Sequence, residues 1–158
     1  MIMREEIIVK LIQKIPGISY NDIVRKTGLS NGVISHYLIK LMKMKKIEKE
    51  GVSRGKYFDA SIPKKDRMII ILLRNKTNND VFNYIMEKTK SKEIVTANEI
   101  TKKVKKSSST ISVSLKILQK NNIIERVIMN KNEKLSNDLG HRLSNSKVWD
   151  NYIVKYNL

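Results

Sequence analysis

Cysteine is absent from the 158 residues, so disulfides, zinc ribbons and thiol switches are excluded. The longest apolar run is six residues, Met68 to Leu73, far short of the ~20 a membrane-spanning helix needs. No apolar stretch with a small-residue cleavage site opens the chain, and a cytoplasmic protein with no membrane partner is expected. Glycine-rich phosphate loops, Ser-His-acid spacings and paired inward carboxylates are missing, which argues against an enzyme. His36 and His141 have no acidic partner at ligand spacing, so neither a metal nor another cofactor is expected. Acidic side chains are scarce: 15 against 32 Lys and Arg, a formal charge of +17. Divided at Pro63, the first part has 12 basic and 6 acidic residues and the second 20 and 9, so both halves are basic. Such a field favours a polyanion, most often nucleic acid and less often an anionic membrane surface. The bland alternative is generic surface lysine in a chain heavy in Lys, Ile and Asn.

What the chain does contain is a repeat. Residues 18–48 return 77 positions later at 95–125. Ser19, Asp22 and Ile23 answer to Thr96, Glu99 and Ile100. Ser30, Ile34, Ser35, Leu38, Leu41 and Lys43 answer to Ser107, Ile111, Ser112, Leu115, Leu118 and Lys120, and Ile47-Glu48 to Ile124-Glu125. The repeated residues are helix caps, the apolar contacts of a two-helix unit and outward polar positions. A single repetition of this length reads as two small domains rather than a solenoid.

Ile7, Ile8, Leu11 and Ile12 predict a helix over 4–14, closed by Pro16-Gly17. Ser19 caps a second helix, with Asp22 placed for a reciprocal capping box, and Gly28 ends it in a left-handed turn. Ser30 caps a third helix to about Lys45. Ile47 to Glu50 and Lys56 to Ala60 are strand candidates joined by a basic tip. In the second copy a helix is expected over Asp80 to Lys90, and Lys105 stands where the turn glycine should be. A wing should start at Ile123 to Met129, cross a polar tip at Asn130 to Asp138 and return through His141 to Ser144. A last helix from Ser146 carries Val148, Trp149, Tyr152, Ile153 and Tyr156 on one stripe, a packing or dimer face. Six consecutive apolar residues at 68–73 cannot all face one core, so this connector should be covered on several sides; a buried strand is the alternative.

Three helices followed by a basic hairpin make a winged helix-turn-helix. Pro16-Gly17-Ile18-Ser19-Tyr20 and Gly28-Leu29-Ser30-Asn31-Gly32-Val33-Ile34-Ser35 resemble the first domain of archaeal tandem winged-helix transcriptional regulators of the broad MarR/ArsR-like superfamily. Ser107 to Ser112, with Gly140-His141-Arg142-Leu143-Ser144, resembles their second domain. The resemblance implies sequence-specific DNA binding and control of transcription without enzymatic activity. The expected fold is mainly α with small β-wings (α+β). It comprises an N-terminal winged helix at 1–62, an apolar connector helix at 63–76, and a C-terminal winged helix with an added helix at 77–158.

A recognition helix fits the major groove, where base edges present a distinguishable pattern. With Ile34, Leu38 and Leu41 inward, Asn31, Gly32, Ser35, His36, Ile39 and Lys40 turn outward. Asn31, Ser35 and His36 are candidates for bases; Ser30, Lys40 and Lys43 suit phosphates. Ser108, Ser109, Ser112 and Lys116 hold the equivalent face of the second copy. Ser30 and Ser107 serve equally well as caps alone. At the first wing tip stand Ser53, Arg54 and Lys56, and an arginine there suits the narrow minor groove of A·T-rich DNA. Arg126, Lys131, Lys134 and Arg142 are the second wing's cations. The expected partner is double-stranded DNA, bound by a homodimer, with the transcription machinery a further possible partner. A protein-docking winged helix and an RNA-binding protein are the competing readings. The second lacks aromatic pairs on the presumed faces to stack unpaired bases.

Overall fold

The first helix forms because its apolar residues recur every three to four positions and its ends complement the helix dipole. Glu5 and Glu6 lie in the first turn and Lys14 in the last. The computed structural model describes residues 2–128 and 139–158. The chain divides into two compact units, one of residues 1–71 with 154–158, the other of 72–153.

In the first unit, α1 (Arg4–Lys14), α2 (Tyr20–Thr27) and α3 (Asn31–Lys43) are followed by β2 (Ile47–Glu50) and β3 (Lys56–Asp59). A two-residue strand β1 (Ile18–Ser19) pairs antiparallel with β3, so the sheet order is β1-β3-β2. The core is Ile8, Ile12, Ile18, Ile23, Ile34, Leu38, Leu41, Ile47 and Tyr57, with Phe58 and Ile70 also buried. Ser19 accepts the Asp22 N–H, as its cap role requires. The capping box expected there is only half made. The Asp22 carboxylate takes the Ser19 hydroxyl instead, at 2.7 Å. In the second unit Glu99, one methylene longer, does reach back to the Thr96 N–H at 3.0 Å and completes the box.

The second unit repeats these elements in register. β4 (Val95–Thr96), α6 (Ala97–Val104) and α7 (Ser108–Lys120) begin 77 residues after β1, α2 and α3, and β5 (Ile124–Ile128) begins 77 after β2. β6 (Leu139–Leu143) lies between β4 and β5. The leading helix α5 (Lys76–Lys90) begins four residues earlier than the expected Asp80, because Asn75 caps it by accepting from Asn78 N–H. The wing positions Met129, Lys131 and Lys134 lie outside the described residues.

Gly28 ends α2 at φ +67, and its counterpart Lys105 ends α6 at φ +59. The turn is not lengthened. A Cβ in this region costs roughly 1–2 kcal/mol. Lys105→Gly should therefore stabilise the protein by ~0.5–1 kcal/mol, part of the relief being offset by the freer unfolded chain. A urea midpoint that stays or falls would show the lysine unstrained.

The apolar run at 68–73 is helical, within α4 (Lys64–Arg74). Its sides differ: Ile70 and Leu73 are buried, but Met68 is 64% exposed, so cover on every side is not what the helix needs. The stripe on α8 (Ser146–Tyr156), expected to be a packing or dimer face, packs in part within the chain. Trp149 is buried and meets Phe82 edge-on, with ring centroids 6.2 Å apart. The Tyr156 hydroxyl donates to Asp66 at 2.5 Å, and burial with this bond pushes its pKa up to about 12. These two residues are used within the chain, while Val148 of the same stripe is 49% exposed.

Candidate nucleic-acid interface

The outer face of α3 follows from its inner one. With Ile34, Leu38 and Leu41 buried, Asn31, Gly32, His36, Lys40 and Lys43 are exposed and Ser35 half-buried. Neither α3 nor α7 contains a carboxylate. Ser30 caps the helix, its Oγ accepting from Val33 N–H at 3.4 Å, and remains exposed. Ser35 is less free than the spacing implied. The Tyr20 hydroxyl donates to the Asn31 carbonyl at 3.0 Å and stands 3.0 Å from Ser35 Oγ. Tyr20 thus ties the start of α2 to the first turn of α3. It is the residue sequence reasoning missed, and the only signal was its replacement by Ala97 in the repeat.

Lys40 was expected on phosphate, but it is paired within the chain. Its Nζ lies 2.6 Å from Glu5 Oε2, and Lys46 reaches the same carboxylate at 3.6 Å. The hydrogen bond from Lys40 holds the Glu5 carboxyl below its usual range, and the same bond raises Lys40. Lys43 has no ion pair among the described residues. His36 stacks edge-on with Tyr37 at 5.2 Å.

At the first wing, Val52, Ser53 and Arg54 are exposed between β2 and β3. Lys56 is not at the tip. It sits in β3, half-buried, with Glu50 and Ser19 as its backbone partners.

In the second unit Ser108, Ser109, Ser112, Lys116 and Arg126 are all exposed. Ser108, Ser112 and Lys116 line a groove of about 240 Å³ together with Ala97, Arg126 and His141. Ser109 is outside it, 3.1 Å from the capping Ser107 Oγ. Arg142 is engaged by Glu125 across the strands. His141 is buried, and burial followed by the Arg126 charge lowers its pKa, so the imidazole is neutral near pH 7. Among the described residues no cluster of His, Asp and Glu could hold a metal, and no helix is long and apolar enough to cross a membrane.

The helices α1, α2 and α3, followed by the paired strand β2, present one acid-free helix, α3, outward. Residues 5–48 match the family model described as winged helix-turn-helix DNA-binding. The match runs from the first turn of α1 into β2 and stops before β3. It supports a DNA-binding winged helix at that segment and does not extend to the second unit. No curated protein matches the chain.

Proposed function

We propose that this protein is a sequence-specific double-stranded DNA-binding regulator of transcription. α3 enters a major groove, Arg54 approaches the adjacent minor groove, and the second unit is a further winged helix offering α7. The observation that carries the reading is the matched segment 5–48, whose outward helix bears Asn31, His36 and Lys43 with no carboxylate to repel phosphate. The second reading, a docking module, is favoured by one observation. Ile39 on that same helix is 51% exposed, an apolar contact offered to a protein partner.

A salt titration separates the two, run on a duplex selected by the protein from a random pool and on its scrambled counterpart. Lys43→Ala should weaken both alike and lower the salt slope by about one per lost phosphate contact. Lys40→Ala should do so less, because Glu5 already offsets its charge; Glu5→Gln should strengthen binding to both duplexes. Asn31→Ala or Ser35→Ala should reduce the preference for the selected duplex by ~1–3 kcal/mol and leave the scrambled one near its original affinity. Arg54→Ala should cost most on A·T-rich flanks. If the Asn31 and Ser35 variants lose affinity equally on both, α3 does not read bases and the docking reading moves ahead.

A further inference from the structure

The two units differ at two positions whose elements correspond at the 77-residue spacing and by strand register. In the first, two tyrosines stand at matched positions, Tyr20 at the start of α2 and Tyr57 in β3. Tyr20 bonds Asn31 and reaches Ser35, and Tyr57 is buried in β3 opposite Ile18 and Lys49. The matching residues of the second unit are Ala97 and His141, the latter opposite Val95 and Arg126. Two phenol rings have become a methyl and an imidazole. Both line one groove, together with Ser108, Ser112, Lys116 and Arg126.

Its chemistry is one-sided. None of its lining residues is acidic. Among the described residues Lys116 and Arg126 have no carboxylate partner, since the second wing's ion pair belongs to Arg142 and Glu125. His141 is only 7% exposed, yet its Nδ1 has no hydrogen-bond partner. A buried polar atom in that condition is uncommon and calls for a ligand, water or ion. At about 240 Å³ the groove falls below the ~300–1,000 Å³ typical of sites for drug-sized ligands, which suits a small group.

We infer that this groove binds a phosphoryl group, held by Arg126 and Lys116 as counter-ions, with Ser108 and Ser112 donating hydrogen bonds and the His141 ring lining the wall. The group belongs either to a free phosphorylated small molecule or to a DNA backbone phosphate. The two sources share one chemistry and are separable by experiment. Binding of a free phosphate does not depend on the DNA-binding reading, so either can fail without the other.

The test uses the full chain and inorganic phosphate at constant ionic strength, followed by NMR of the two histidine rings. His36, in the first unit, is the internal reference. A saturable shift of His141 alone is expected. Arg126→Ala and Lys116→Ala should each weaken it by ~10-fold or more, the scale of a charge-assisted hydrogen bond. Ala97→Tyr, which copies the first unit, should abolish it while leaving the circular dichroism spectrum unchanged. Displacement of phosphate by a short duplex would assign the backbone source; phosphate binding undisturbed by duplex would assign the free source. A shift that is absent, follows ionic strength without saturating, or survives in both Arg126→Ala and Ala97→Tyr overturns the inference.

Discussion

Phe58→Ala should remove ~3–5 kcal/mol of stability, the usual cost of emptying a fully buried aromatic site. The ring is 0% exposed in β3. It lies so close to the backbone at Gly17 that a Cβ there would stand 3.3 Å from its Cζ, and 3.1 Å from Ile70. Gly17 is at φ +79, where glycine turns the chain into β1 without the strain a side chain would add. Neighbours held this way on a strand and a turn cannot collapse into the cavity. Small domains hold about 0.05–0.15 kcal/mol per residue, so the loss would take much or all of the first unit's margin. Urea denaturation followed by circular dichroism measures it. A change below ~1 kcal/mol would mean that the ring is not part of the cooperative core.

Arg67→Ala is expected to cost ~2–4 kcal/mol, because it strips one cation from several acceptors at once. Arg67 is 3% exposed in α4. Its guanidinium bonds Glu48, Glu50 at 3.0 Å, and the carbonyls of Ile62 and Ala60 at 2.8 and 3.3 Å. It also lies over the Phe58 ring, 5.9 Å from its centre. Arg67→Met, keeping the apolar stem but not the charge, should recover part of the loss and so divide packing from pairing. The pH dependence follows from Glu48. The hydrogen bond from Arg67, then its charge, hold the Glu48 carboxyl below its ordinary value. A depressed carboxyl stabilises the fold above its unfolded pKa, and that stabilisation is lost as pH falls through the folded value. Wild type should therefore lose stability in the acid range faster than Arg67→Met; parallel pH curves would remove the pair from the account. Because Phe58 and Arg67 touch, the double variant should cost less than the two losses added.

The sequence by itself determined the local architecture of both units. Ser19, Ser30, Thr96 and Ser107 cap helices where their spacing before apolar residues said they would, and Gly28 turns left-handed where the second helix had to stop. The inward faces of α3 and α7 were also legible, because Ile34, Leu38 and Leu41 and their counterparts recur at helical spacing. These signals lie within one helical turn of the residues they organise, so they survive in a linear reading. The two-residue strands β1 and β4 do not, since two residues show no alternation and become strands only when β3 or β6 returns beside them. The same holds for the site. The tertiary structure alone brought Glu5 to Lys40 across 35 residues and Tyr20 to Ser35 across 15. It alone set Tyr156 on Asp66 across 90, and folded Trp149 against Phe82. Side-chain spacing specifies which face turns outward; which groups on that face are already occupied depends on partners that only chain reversal supplies.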